Sequence, residues 1–352
     1  MIFIRFFWSL NWIFCGLVFC DSICSFISAQ TKKRWSTLYK YKLDYPHAQE
    51  YRNKKQLIFS KYDTMPFTQL IFSWNAISQE YGYLAFEVMV RDGKTQKWDR
   101  WIEMVHWGKN KAESFYAPHE KASGFYHVRL EMPEGTKADA FKIRVSAVSG
   151  GSISCLRALY VSTIDFSQFV SELGDMRFGN LASVMVFGIP GYSQMTLNHN
   201  DAERMCSPTA SSMLISYMCK KPIEPLHFAL KVYDRALDTY GNWIFNAARA
   251  FEQCSTMYIH VERLNSFIDL YRNLKLNIPI VVSIRGPIAG GFREYQSGHL
   301  VLVVGYDAKN KMVVCHDPAA PDNKQVVTRY ALNDFLKAWE KSRRLAFISQ
   351  PV

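Results

Sequence analysis

The stretch DAERMCSPTASSMLISYM, residues 201–218, places one thiol directly before a Ser-Pro pair and a run with helical periodicity. Ser207 is a competent N-cap and Pro208 fits a first helical position, where a missing N–H costs nothing. Ala210, Leu214, Tyr217 and Met218 then form an apolar stripe, and Pro222 stops the helix. Cys206 is thereby expected just outside a helix N-terminus. There the macrodipole and free N–H groups favour the thiolate, which is the attacking species. A thiol kept only for packing would sit on the stripe, as Cys219 can.

A thiolate at neutral pH needs a base, and the base needs a group to orient it. SGHLVLVVGYD (297–307) supplies His299 at the mouth of a strand that is apolar on both faces. KMVVCHD (311–317) ends in Asp317. If these strands are antiparallel neighbours, the start of the first lies beside the end of the second, and Asp317 falls next to His299. GIPGYSQM (188–195) adds Gln194, twelve residues before Cys206. Its side-chain amide and the backbone N–H of Cys206 are the kind of donors that hold a tetrahedral oxyanion. Each residue taken singly has a blander reading: a hydrogen-bonded structural histidine, an Asp-Pro turn, a surface glutamine. His199, Asp201, Cys315 and His316 lack the regular spacing of a metal site, so neither metal nor cofactor is expected.

These groups need elements to position them. Beyond about residue 165, helical periods occur at 208–219, 225–238, 243–253 and 264–275, followed by apolar strands at 278–284, 299–307 and 311–317. An amphipathic helix at 330–342 closes the chain, with Leu332, Phe335, Leu336 and Trp339 on one face. Helices followed by antiparallel strands indicate an α+β fold. Residues 58–165 instead read as short alternating strands, with a hairpin expected across Asp92-Gly93 and a second across Pro133–Gly135. That pattern indicates an all-β sandwich in front of the α+β domain. Trp74, Trp98, Trp101 and Trp107 suit a ligand face or a packed core equally well. The expected division is a leader at 1–29, a basic linker at 30–57, the sandwich at 58–165, a linker at 166–183 and the second domain at 184–352.

PGYSQM, MCSPTASSMLISYM, GNWIFNAARA, IPIVVSIRG, GHLVLVVGYD and HDPAAPDNKQVVTRYALNDFLKAW, spanning about 184–345, together resemble the peptidase C39-like domains. These are cysteine-peptidase-like domains related to the bacterial bacteriocin-processing (double-glycine) peptidases. The resemblance implies a papain-like fold and a cysteine peptidase acting on a peptide or protein substrate. It also implies Cys206 as nucleophile, His299 as general base and acid, Asp317 as orienter and Gln194 in the oxyanion hole. Many members have Gly after the nucleophile, where this chain has Ser207. The front sandwich also resembles the one that precedes this domain in some secreted members.

The same machinery serves acyl transfer to an amine, and a domain that binds peptide or polymer without turnover is the rival from another class. The 352-residue chain carries a formal net charge of +11. Much of it lies at 31–55, where contact with an anionic membrane or cell-surface polymer competes with a solvated linker. No nucleic-acid-binding signature is present. MIFIRFFWSLNWIFCGLVFC opens the chain with one early cation and an apolar run, which predicts export through a cleaved signal or an uncleaved anchor. Outside the leader the cysteines are 155, 206, 219, 254 and 315, an odd number that forbids complete pairing within one chain.

Overall fold

Alternating burial builds the first half. The strand Ala138–Val148 turns its apolar residues inward at every second position over most of its length, as half-buried antiparallel strands do. Ten strands take part: β1 (Ser36–Lys42), β2 (Gln56–Lys61), β3 (Gln69–Ala76), β4 (Tyr83–Asp92), β5 (Ile102–Gly108), β6 (Lys111–Ser114), β7 (Gly124–Tyr126), β8 (Arg129–Glu131), β9 (Ala138–Val148) and β10 (Leu156–Ile164). They form two five-stranded sheets, ordered β1-β10-β3-β8-β7 and β2-β9-β4-β5-β6. The structure is a computed structural model that describes residues 34–43, 54–118, 124–126 and 128–352. The leader expected at 1–29, and residues 30–33 and 44–53 of the basic stretch, lie outside those residues.

Two expectations change here and one holds. The basic stretch is not all linker: Ser36–Lys42 pairs with β10 along its whole length. Tyr39 and Tyr41 pack on Phe141 and Phe59 from β9 and β2. A count of lysines hides the alternation beneath them. The hairpin at Asp92-Gly93 forms between β4 and β5, with Leu84 opposite Trp107 and Val88 opposite Ile102. The second hairpin does not form. β8 pairs with β3 while β9 pairs with β4, so Pro133–Gly135 carries the chain from one sheet to the other. Period-two alternation identifies a strand but not its partner.

The second half lays five helices on a seven-stranded sheet. The helices are α1 (Cys206–Cys219), α2 (Pro225–Val232), α3 (Trp243–Gln253), α4 (Phe267–Lys275) and α5 (Leu332–Lys341). The strands are β11 (Val184–Met185), β12 (Met257–Arg263), β13 (Ile280–Gly286), β14 (Tyr295–Asp307), β15 (Met312–His316), β16 (Val327–Ala331) and β17 (Leu345–Pro351). Their order is β12-β17-β13-β14-β15-β16, with β11 added on β14. α1 is buried on every side from Ser207 to Ser216 rather than along one stripe, which marks it as a central helix. α2 ends at Val232, six residues early, because Asp234 is buried and accepts from Ser114 N and Asn242 Nδ2. α4 starts at Phe267, where Ser266 caps it by accepting from Asp269 N. Cys219 is not a packing thiol: it forms a disulfide with Cys254 and ties the end of α1 to the end of α3. Cys155, Cys206 and Cys315 remain free.

The two halves share one apolar core. Trp74 of β3 meets Phe245 of α3 edge-on. Asn75 donates to Ile259 O at 2.7 Å and accepts from Ile259 N at 3.1 Å, and Ser73 Oγ accepts from Val261 N at 3.0 Å. These side chains satisfy an edge strand that would otherwise present open backbone groups. Trp74 and Trp107 are core residues, whereas Trp98 and Trp101 are half-buried beneath Lys142 and Arg144. The stretch expected as a linker at 166–183 is anchored too, because buried Glu172 accepts from Phe267 N at 2.7 Å. Residues Arg34–Val352 therefore form one compact unit.

Candidate active site

α1 begins at Cys206 itself. Met205 occupies the N-cap position and makes no side-chain cap. Ser207, expected as the cap, lies inside the first turn with its hydroxyl buried and unpartnered among the described residues. Pro208 is tolerated there because first-turn N–H groups have no intrahelical acceptor. The earlier start brings the thiol onto the positive end of a fourteen-residue helix that no side chain neutralises.

The strand order supplies the base. β14 and β15 are antiparallel, with Leu302 opposite His316, so the beginning of β14 runs beside the segment after β15. His299 Nε2 donates to Asp317 Oδ1 at 2.6 Å. This leaves Nδ1 to face the thiol, and the sulfur and the ring lie close enough for each to shift the other's titration. Asp317 also accepts from Tyr295 OH at 2.8 Å, Tyr330 OH at 2.6 Å and the backbone N–H of Ala319 at 2.8 Å. The Tyr295 ring stacks on the imidazole, with centroids 4.1 Å apart and planes 9° from parallel. The acid is thus held by four donors, and the base is held by the acid on its edge and an aromatic ring on its face.

Burial works against charge at all three groups, and their mutual contacts outweigh it. For Asp317, burial would raise the carboxyl, but the charge and hydrogen bond of His299, then Tyr330 and Ala319, hold it below its usual range. For His299, burial would lower the imidazole, but Asp317 first and Cys206 second push it up to about 9. For Cys206, burial would raise the thiol, but His299, the N–H of Leu300 and the charge of Arg293 bring it below its usual value. At neutral pH this favours a thiolate–imidazolium pair.

The structure therefore brings Cys206, His299 and Asp317 into one chain. Gln194 is placed differently. It is fully buried, its Nε2 donates to Ala202 O at 3.0 Å, and its Oε1 has no partner among the described residues. Its backbone N–H donates to Pro318 O at 2.8 Å, so its loop is fastened to the turn that carries Asp317. Tyr295 and Tyr330 are site residues that the sequence reading missed. Tyr295 had a signal, since a residue four before His299 on a strand shares its face. Tyr330 had none, because only the pairing of β15 with β16 brings it there.

Cys206 and His299 open into a cleft of about 820 Å³. Its walls include Trp243, Tyr295 and Leu300 from the second half, and Gln69, Arg129, Glu131 and Phe166 from the sandwich and the turn after it. A thiol on a helix N-terminus, facing an antiparallel sheet that bears an imidazole, is the papain-like arrangement.

Residues 186–347 match the sequence model of the Peptidase_C39 like family. No curated protein matches the chain. Among solved structures, Xylellain, a cysteine protease from Xylella fastidiosa, aligns at 12% identity and a TM-score of 0.35, covering 52% of this chain and 95% of that one. Over residues 186–347, just under half of its length, the chain is similar to the Peptidase_C39 like family of cysteine peptidases, with an all-β sandwich in front.

Proposed function

We propose that the protein hydrolyses peptide bonds with Cys206 as nucleophile. The thiolate attacks the scissile carbonyl, and the uncapped N–H groups of α1 stabilise the oxyanion. His299 gives its Nδ1 proton to the leaving amine, and a thioester remains on Cys206. The ring then takes a proton from water, the hydroxide opens the thioester, and the thiolate returns with a free carboxyl product. Asp317 keeps Nε2–H as the donor to itself, so that Nδ1 is the nitrogen facing sulfur throughout. The observation that carries this reading is the unbroken Cys206–His299–Asp317 chain at an uncapped helix start.

The sandwich lines the same cleft, which supports a part in holding substrate. The Cys219–Cys254 disulfide supports an oxidising compartment and hence the export expected from the leader. Among the described residues no helix is long and apolar enough to cross a membrane. Incubating the full chain with a peptide pool and excess glycinamide tests the reaction by mass spectrometry. Free carboxyl termini that disappear in His299→Ala support hydrolysis. Products that are mostly glycinamide conjugates would overturn it in favour of acyl transfer.

A further inference from the structure

The cleft is not electrically balanced. Its lining carries seven cationic side chains against three acidic ones. Arg293 is answered by Glu203 at 3.2 Å, and Arg204 by Asp201 at 3.3 Å and Asp238 at 3.1 Å. The excess lies where the sandwich meets the second half. Arg263, at the end of β12, is 4% exposed yet lines the cleft. Among the described residues its guanidinium is held by neutral acceptors: Gln69 Oε1 at 3.0 Å, Ser342 O at 2.7 Å and Arg343 O at 3.0 Å. It stacks near Phe166 and Trp243. The carboxylate that reaches its field, Glu131, is already engaged by Arg129 at 2.5 Å. Burial, then the charges of Arg129 and Arg343, disfavours its charged form, so an arriving anion relieves a real electrostatic cost. Arg285, Lys341 and Arg343 line the same wall, are exposed, and have no carboxylate partner among the described residues. Ser283 joins this wall to the base: its hydroxyl bonds Ser342 Oγ, and the next residue, Ile284, pairs with His299.

We infer that this wall is the subsite for a carboxylate of the substrate, so that the peptidase selects acidic peptides. The inference rests on the proposed hydrolysis only for the outcome of binding, not for binding itself. A buried guanidinium whose Nη2 makes no hydrogen bond among the described residues, with three exposed cations around it, matches a carboxylate in charge and in hydrogen-bonding capacity. The sandwich contributes Gln69, which accepts from Arg263 Nε, and Arg129, whose charge reaches the same guanidinium, and its fusion to the second half fixes their position. A neutral peptide would leave the same cations facing one another.

The test uses the full chain carrying Cys206→Ala, which keeps the cleft and removes attack. Two C-terminally amidated random hexapeptide pools are compared, identical except that one carries Glu where the other carries Gln. At low ionic strength the Glu pool is expected to be retained about tenfold better, the scale of one charge-assisted contact. That preference should vanish in the triple variant Arg285→Gln, Lys341→Gln, Arg343→Gln, whose side chains are exposed and which leaves the hydrogen bonds of Arg263 in place. Better retention of the Gln pool as its free acid than as its amide would assign the wall to a terminal carboxylate instead of a side chain. Equal retention of all pools, or a preference that survives the triple substitution, overturns the inference. If the parent cleaves neither pool while the Glu preference persists, the hydrolytic reading fails and the acidic subsite stands.

Discussion

Replacing Asp317 with Asn removes one negative charge and keeps the shape of the side chain. His299 stands at about 9 rather than 6.5 because Asp317 more than offsets burial. At about 1.4 kcal/mol per pH unit this is roughly 3 kcal/mol in favour of the imidazolium. Without the carboxylate, burial dominates and the ring falls below 6.5, so the thiol loses the cation that lowers it. With that cation gone, burial raises the thiol above its usual value of 9.0, and at pH 6 less than roughly one part in a thousand is ionised. Iodoacetamide labelling of Cys206 should therefore slow on the order of 100-fold at pH 6, and the gap between the two rates should narrow as the pH rises and the parent imidazolium is lost. The assay is the pH profile of the labelling rate, read by mass spectrometry on the peptide that contains Cys206, with near-ultraviolet circular dichroism to show that the fold persists. Profiles that superimpose from pH 5 to 10 would refute the electrostatic account.

The same contacts make stability pH-dependent. The raised His299 contributes fully below pH 6.5 and loses its contribution as pH climbs through about 9, while the lowered Asp317 contributes above 3.8 and loses it as pH falls through its folded value. The melting-temperature gap between parent and Asp317→Asn should be widest between about pH 4 and 6.5 and should narrow by pH 9.5; a gap independent of pH would contradict this. Tyr330→Phe removes one of the four donors to Asp317 and should cost about 1–2 kcal/mol of stability by urea unfolding while raising the pH at which the acid limb appears. Opening the Cys219–Cys254 bridge by Cys254→Ser, which releases a 35-residue loop, should cost about 2–4 kcal/mol and leave labelling of Cys206 unchanged.

The second half was largely legible because its elements differ in period. α3 has the bounds that its apolar spacing predicts, and the apolar runs around 280, 300 and 313 are all strands. The convergence of His299 with Asp317 was also readable, since it follows from antiparallel pairing of two neighbouring strands. What escaped the sequence was held in long-range pairing. The crossover at Pro133–Gly135, the strand hidden in the lysine-rich stretch and the approach of Tyr330 all depend on which strands neighbour which. The start of α1 was misread because Ser-Pro is a strong local cap signal, yet here the chain enters the helix two residues earlier, from a short turn at Ala202–Arg204. The fusion of the two halves was invisible for a similar reason: Asn75 and Ser73 look like ordinary strand residues until β12 lies beside them.

The central claim is that the sulfur of Cys206 does the chemistry. Parent and Cys206→Ala proteins, matched in melting temperature, should be incubated with the same peptide pool and the new N-termini counted by mass spectrometry. The account predicts new termini with the parent and none above background with the variant. Equal product from both proteins, or none from a fully folded parent, would contradict it.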